Sequence, residues 1–232
     1  MAAYKAVLWD IDGTLLDFLA AEKAAIRTLF MRFELGPCTD EMIRAYSSIN
    51  VRWWEKLERG EADKPTILVG RFKEFFSAYG IDPAVAEAFN REYQTALGDT
   101  IVFTPGAKET VSALKGRVLQ CAVTNGTKTA QTKKLAASGL GELFDRVFIS
   151  EDVGFEKPDK RYFDKVFEAI APVMPYEALI VGDSLTSDMR GGLNAGIATC
   201  LYDPSGRKDA GAMRIDCRVQ SVTEVPGILG LE

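Results

Sequence analysis

A helical stretch of about eighty residues lies between the first and second β-rich runs of this chain, and it narrows the choice of fold more than any other feature. Short apolar, β-rich runs occur at 6–9 (AVLW), 118–124 (VLQCAVT), 147–150 (VFIS), 178–182 (ALIVG) and 197–202 (IATCLY), with a weaker sixth at 214–219 (RIDCRV). Each is followed by a turn or a helical pattern. That alternation predicts an α/β protein with a Rossmann-like, three-layer core and a mostly parallel sheet. Residues 17–97 break the rhythm and read as helix after helix, at 18–34, 39–58, 65–79 and 83–97. Pro37, Gly60, Pro65, Gly80 and Pro83 mark the breaks. The chain therefore divides into a core, residues 1–16 and 98–232, and an inserted all-helical cap domain, residues 17–97. In an open α/β sheet, ligands bind beyond the carboxyl ends of the strands. The first strand ends at Asp10 and the insertion leaves from that same end, so the cap is expected to lie over the site.

Composition removes several chemistries. The chain has no histidine, which excludes Ser-His-Asp and Cys-His catalysis, phosphohistidine chemistry and His-ligated zinc. Proton transfer is left to carboxylates, Lys, Tyr or water. Cys38, Cys121, Cys200 and Cys217 have no CxxC or paired spacing and read as free thiols of a reducing compartment. A cysteine-phosphatase loop needs Cys, five residues and then Arg; Cys121 has Thr127 there, and Cys200 reaches Arg207 one residue too late. The formal net charge of -5 gives no sign of nucleic-acid binding. The apolar run before Asp10 is too short for a signal peptide, and no run approaches membrane-spanning length. A cytoplasmic protein, monomer or homodimer, with no membrane or nucleic-acid partner, is expected.

Four separated segments put polar residues at strand ends: Asp10-Ile11-Asp12-Gly13-Thr14, Thr124-Asn125-Gly126, Lys157-Pro158-Asp159, and Gly182-Asp183-Ser184 with Asp188. Taken singly, each would suit a strand-ending turn or a helix cap. Together they resemble, in order and in context, the four motifs of the haloacid dehalogenase superfamily of phosphohydrolases, over essentially the whole chain. Phosphate monoesters are extremely slow to hydrolyse unaided. A carboxylate approaching a phosphoryl dianion meets ~8 kcal/mol of repulsion from two charge pairs at ~4 Å and an effective dielectric of ~20. Positive charge must offset that, and Mg²⁺ suits a site of carboxylates, a carbonyl and waters.

The resemblance implies a role for each residue. Asp10 is then the nucleophile that forms an aspartyl-phosphate. Asp12 is the general acid and then the base, with its backbone carbonyl on the metal. Thr124 and the amide of Asn125 hold a phosphoryl oxygen, and Lys157 neutralises phosphate and nucleophile. Asp183 and Asp188, with Asp10, hold Mg²⁺. Gly13 lets the chain turn and Thr14 steadies the loop. Asp12 argues against dehalogenation, because a halide leaving group needs no proton whereas an alkoxide does.

The second helical pattern places Ile43, Tyr46, Asn50, Trp53 and Leu57 on one stripe, with Asn50 its polar exception. Asn50 is either a satisfied buried amide or a substrate contact. Trp53 and Trp54 point about 100° apart on a helix, so one packs in the cap and the other is free to stack on a flat group. Asn50 and Trp53 are the cap residues assigned to substrate, and Arg71 reads as solvated. The segment from Ile49 to Trp54, the Glu58-Arg59-Gly60-Glu61 turn and Arg71-Phe72 resemble the caps of bacterial pyrimidine 5'-nucleotidases. The expectation is a magnesium-dependent phosphatase of small phosphate monoesters, a pyrimidine nucleoside 5'-monophosphate among them. A sugar-phosphate or phosphoglycolate phosphatase, a phosphomutase and a non-catalytic phosphometabolite-binding regulator stand as alternatives.

Overall fold

Along the first strand, Val7 and Trp9 face one side of a sheet while Ala6 and Leu8 face the other, and all four are fully buried. A strand covered on both faces reads as a continuous apolar run, which is why it occupies the sheet centre. The computed structural model describes residues 4–231. Strands β1 (Ala6–Trp9), β2 (Leu119–Thr124), β3 (Arg146–Ile149), β4 (Ala178–Gly182), β5 (Ala198–Tyr202) and β6 (Cys217–Val219) form one sheet in the order β3-β2-β1-β4-β5-β6. Every pairing is parallel, so the sheet is wholly rather than mostly parallel.

Helices α1 (Phe18–Arg32), α2 (Asp40–Glu58), α3 (Lys64–Ala78) and α4 (Ala86–Ala96) make up the insertion. The core adds α5 (Ala107–Leu114), α6 (Lys128–Ser138), α7 (Ser150–Val153), α8 (Lys160–Ala169), α9 (Arg190–Ala195) and α10 (Val225–Ile228). Val111 of α5 and Val225 of α10 cover the face that Trp9 presents, and Tyr162 and Val166 of α8 cover the face of Leu8. This gives the three layers. No helix of the described residues is long and apolar enough to cross a membrane.

The cap helices start where short polar side chains can accept orphan amides. Asp17 accepts from Ala20 at 3.0 Å, Thr39 from Met42 at 3.2 Å and Asp63 from Thr66 at 2.9 Å. The segment read as 83–97 opens instead as a 3₁₀ turn, Pro83–Val85, because Asp82 caps the amide of Ala84 before α4 begins. The run read as 214–219 yields strand only over Cys217–Val219. The cap has its own apolar core, in which the ring of Phe72 packs against Tyr46, Phe76, Phe89 and Tyr93. Its two linkers run side by side: the amide of Asp17 donates to Val102 at 2.8 Å and that of Thr104 to Leu15 at 3.0 Å. Away from the linkers, the buried Lys64 of α3 donates to Ser150 at 2.6 Å and pairs with Glu156 at 3.3 Å.

One buried polar chain fixes β1 against its neighbours. The Trp9 indole N–H donates to Gln120 Oε1 at 3.1 Å, and Gln120 Nε2 donates to the Val111 carbonyl at 2.9 Å. Gln120→Leu removes an acceptor and a donor from a fully buried site and leaves the indole N–H and a carbonyl without partners. Unfolding by denaturant should show a loss of about 1–3 kcal/mol. A neutral result would mean that Trp9 and Val111 readily find other partners.

Candidate active site

The strand order reverses at β1, whose chain neighbour β2 lies on one side and β4 on the other. Such a switch point leaves a crevice at the carboxyl ends. Asp10 follows β1 there, its amide donating to Val181 of β4 at 2.9 Å. Thr124 ends β2, and Asp183 follows β4. Register therefore brings residues more than a hundred positions apart to one edge of the sheet.

Lys157 is the centre of the arrangement. Its side chain is 1% exposed, and its ammonium donates to Asp10 Oδ1 at 2.8 Å, Asp188 Oδ1 at 2.7 Å and the Val123 carbonyl at 2.8 Å. All three N–H bonds are thus used. Burial alone would favour the neutral amine, but Asp10 and Asp188 overrule it and hold the ammonium above the ordinary lysine range. Burial, reinforced by Asp188 and opposed by Lys157, pushes the Asp10 carboxyl up to about 7. Burial likewise raises Asp188 and Asp183. Asp10 Oδ2 accepts from Thr14 Oγ1 at 3.0 Å, which fixes the carboxylate plane from both sides. Asp188 sits on a π-helical turn, Leu185–Met189, and its Oδ2 accepts from the Ser184 amide at 3.1 Å.

Asp10, Asp183 and Asp188 offer carboxylate oxygens within 4.8 Å of one another. These are hard oxygen donors, and burial leaves their mutual repulsion poorly screened. Such a group fits a small divalent cation. Gly13 has φ +89, and a Cβ there would stand 2.9 Å from Asp183 Oδ1, so the loop carrying Asp12 can close over Asp183 only with glycine at this position. Asp12 points away from the metal group. Its Oδ2 accepts from Gln131 Nε2 at 2.6 Å and its Oδ1 from Lys134 Nζ at 2.5 Å.

The structure separates the sequence-assigned site residues by position. Asp10, Asp12, Thr124, Lys157, Asp183 and Asp188 line one cavity of about 570 Å³ between cap and core. Asn125 also lines it, but its carboxamide is engaged with the Lys157 backbone, accepting from the amide and donating to the carbonyl, each at 2.8 Å. That side chain fixes Lys157 and leaves only the backbone amide of Asn125 for a ligand. Asn50 reaches the cavity wall and is only 3% exposed, donating to Glu22 at 2.9 Å and accepting from Arg71 at 2.6 Å.

Trp53 does not line the cavity. Its indole N–H donates to Glu74 at 2.7 Å, and its ring lies against Gly70, where no side chain intervenes. Trp54, about 100° around the helix, faces the cavity instead, with the Arg71 guanidinium 5.9 Å from its ring. Arg71 is not solvated: it is 1% exposed, stacked near Phe72 and Tyr93, and reaches Asn90. Burial raises the Glu22 carboxyl, although Ser47, Asn50 and Arg71 all favour its charged form.

Sequence reasoning missed Gln131, Lys134 and Lys208, and named Glu58 only as part of a cap turn without a contact. Gln131 and Lys134 stand three apart on the helix after Thr124, a spacing that puts both on one face and could have drawn notice. Glu58, whose carboxyl burial pushes up to about 7, accepts from Thr186 and joins α2 to the core. Lys208 donates to Asp183 Oδ2 at 3.0 Å from an irregular segment with no sequence signal.

Lys157→Met leaves two buried carboxylates without their cation, and breaking such a pair costs about 3–5 kcal/mol. The sign with pH follows from the raised carboxyls. A carboxyl whose folded pKa exceeds its unfolded one contributes stability that is lost as pH rises from the ordinary value near 4 through the folded value, here about 7 for Asp10. Removing Lys157 raises these carboxyls further. The deficit of metal-free Lys157→Met should therefore be larger at pH 8 than at pH 5 by denaturant unfolding. A deficit independent of pH would contradict this charge balance.

The chain matches the family model for haloacid dehalogenase-like hydrolases over residues 4–196. It is 35% identical to the HAD-hydrolase YfnB of Bacillus subtilis, covering all of this chain and 98% of that one. It is 37% identical to the pyrimidine 5'-nucleotidase PynA of Streptococcus pneumoniae, over 87% of this chain and 84% of that one. Identity to the pyrimidine 5'-nucleotidase YjjG of Escherichia coli is 28%, over 96% of each. The crystal structure of magnesium-bound YfnB superposes with a TM-score of 0.91 over 98% of this chain and 99% of that one.

Proposed function

The chain belongs to the haloacid dehalogenase-like hydrolases and is an enzyme of the phosphoric monoester hydrolase class, and on that premise we propose that it is a magnesium-dependent phosphatase of pyrimidine nucleoside 5'-monophosphates. One observation carries the chemistry. Asp10 is gripped by Lys157 on one oxygen and Thr14 on the other, within a buried carboxylate group, on the floor of a capped cavity. A carboxylate so fixed has little orientational freedom left to lose on attack.

In the first half-reaction an Asp10 oxygen attacks phosphorus and the ester P–O bond breaks. The departing oxygen takes the proton of the Asp12 carboxyl, giving the free alcohol, an aspartyl-phosphate on Asp10 and an Asp12 carboxylate. In the second half-reaction water attacks phosphorus and gives its proton to Asp12. The Asp10 acyl-oxygen–phosphorus bond then breaks and phosphate leaves. Thr124 and the Asn125 amide hold phosphoryl oxygens, and Lys157 offsets the charge of nucleophile and phosphate. Mg²⁺, held by Asp10, Asp183, Asp188 and the Asp12 carbonyl, supplies the remaining positive charge when bound.

Residues 17–97 act as the cap and exclude water above Asp10. Trp54 offers a ring for a base to stack on, and Asn50 and Arg71 offer polar edges beside it. PynA and YjjG, both pyrimidine 5'-nucleotidases, support that choice of leaving group.

Phosphate release from a panel of nucleotides, sugar phosphates and phosphoglycolate tests the reading. Pyrimidine 5'-monophosphates should give the highest kcat/KM. Activity should vanish in EDTA and return with Mg²⁺, and Asp10→Asn should fall to background. Undiminished metal-free turnover, or an active Asp10→Asn, would overturn the mechanism. A stacked base is worth about 1–3 kcal/mol. Trp54→Ala should therefore lose about 5- to 150-fold in kcat/KM on the preferred nucleotide while leaving p-nitrophenyl phosphate within a few-fold. Equal loss on both would assign Trp54 to cap packing alone.

A further inference from the structure

We propose that Gln131 and Lys134 are positioning residues that receive the Asp12 carboxylate as it gives up its proton, and so set how well this enzyme expels poor leaving groups. The proposal rests on the phosphatase reading above. Both residues lie on α6, three apart, on the face turned to the cavity. Together they occupy both oxygens of Asp12, at 2.6 Å and 2.5 Å. A carboxylate with an ammonium on one oxygen and a carboxamide N–H on the other is satisfied as an anion. That is the state Asp12 enters once the leaving oxygen has taken its proton.

Several features support the view that the pair is built for this contact. Lys134 is 1% exposed and Gln131 fully buried, which is unusual for side chains of their kind. Asp12 is the one carboxylate paired with Lys134 among the described residues, and the Phe18 ring seals the ammonium from above at 5.2 Å. The Gln131 carboxamide also occupies the space a side chain at residue 126 would need. A Cβ at Gly126 would stand 2.1 Å from Gln131 Nε2. Among the described residues Gln131 Oε1 is buried without a hydrogen-bond partner, a cost that the charge-assisted Nε2 bond to Asp12 helps to offset. A residue kept merely for packing would not need an amide here.

The test is a ladder of phosphate monoesters running from p-nitrophenyl phosphate to simple alkyl phosphates, assayed with the Mg²⁺-loaded enzyme. In this mechanism kcat/KM reports the steps up to alcohol release. A nitrophenolate leaves without help, whereas an alkoxide needs the proton. In Lys134→Met and in Gln131→Leu, kcat/KM should fall by about 10²-fold on the alkyl esters and by only a few-fold on p-nitrophenyl phosphate. In an Asp12→Ala background neither substitution should cause a further loss, because each acts through Asp12. Circular dichroism would identify any variant that does not fold, leaving the other to decide. Equal losses along the ladder, no loss, or losses that add to Asp12→Ala would overturn the proposal. A wild-type enzyme inert on the whole ladder would sink the phosphatase reading itself, and this proposal with it.

Discussion

A single ammonium group, that of Lys157, lets carboxylates gather at the carboxyl edge of this sheet. Asp10 and Asp188 are buried in a place where either charge alone would be driven to protonate. Lys157 bridges them with two hydrogen bonds and uses its third on the end of β2. Its position is fixed in turn by Asn125, whose carboxamide clasps the Lys157 backbone on both sides. Three elements that are remote in sequence are thus tied through one side chain. The charge is still unbalanced: Asp183 adds a third carboxylate, with Lys208 beside it. A divalent cation and a phosphoryl group would complete that balance.

The cap depends on a second buried charge arrangement. Arg71 and Glu22 do not touch; Asn50 stands between them, accepting from one and donating to the other. Asn90 and Gln94 continue the chain of hydrogen bonds, and Thr127 joins it to the core at 2.8 Å. Polar groups in a low-dielectric interior are costly unless every partner is present, so this network holds its members in defined places. It lies beside Trp54 and the cavity, where a polar edge of definite geometry can distinguish one ligand from another. The same network explains why Asn50 interrupts an otherwise apolar stripe.

Much of this was legible in the sequence because it rests on local patterns. Apolar runs gave the strands, and Pro37, Gly60, Pro65, Gly80 and Pro83 marked the breaks between the cap helices, three of whose starts Asp17, Thr39 and Asp63 cap in the structure. Asp10, Asp12, Lys157 and Asp183, which the fold brings to one cavity, could be singled out as candidates because each follows a strand or stands in a motif of fixed order. Long-range partnerships were not visible. Helix spacing showed that Trp53 and Trp54 diverge, but which one meets the cavity depends on how α2 rolls against α3, through Gly70 and Glu74. Arg71 looked solvated because its partners lie on α2 and α4. Lys134 and Lys208 find their carboxylates 122 and 25 residues away, and no periodicity encodes that.

The proposed reaction requires a covalent bond to form at Asp10. Acid quenching of the Mg²⁺-loaded enzyme during the first turnover of a phosphate-labelled ester, followed by peptide mapping, observes that bond directly. Label on the peptide carrying Asp10, appearing together with the released alcohol and decaying as free phosphate forms, is the predicted result. Alcohol and phosphate released in step, with no label on the protein at any time and none when Asp12→Ala slows the second step, would contradict it.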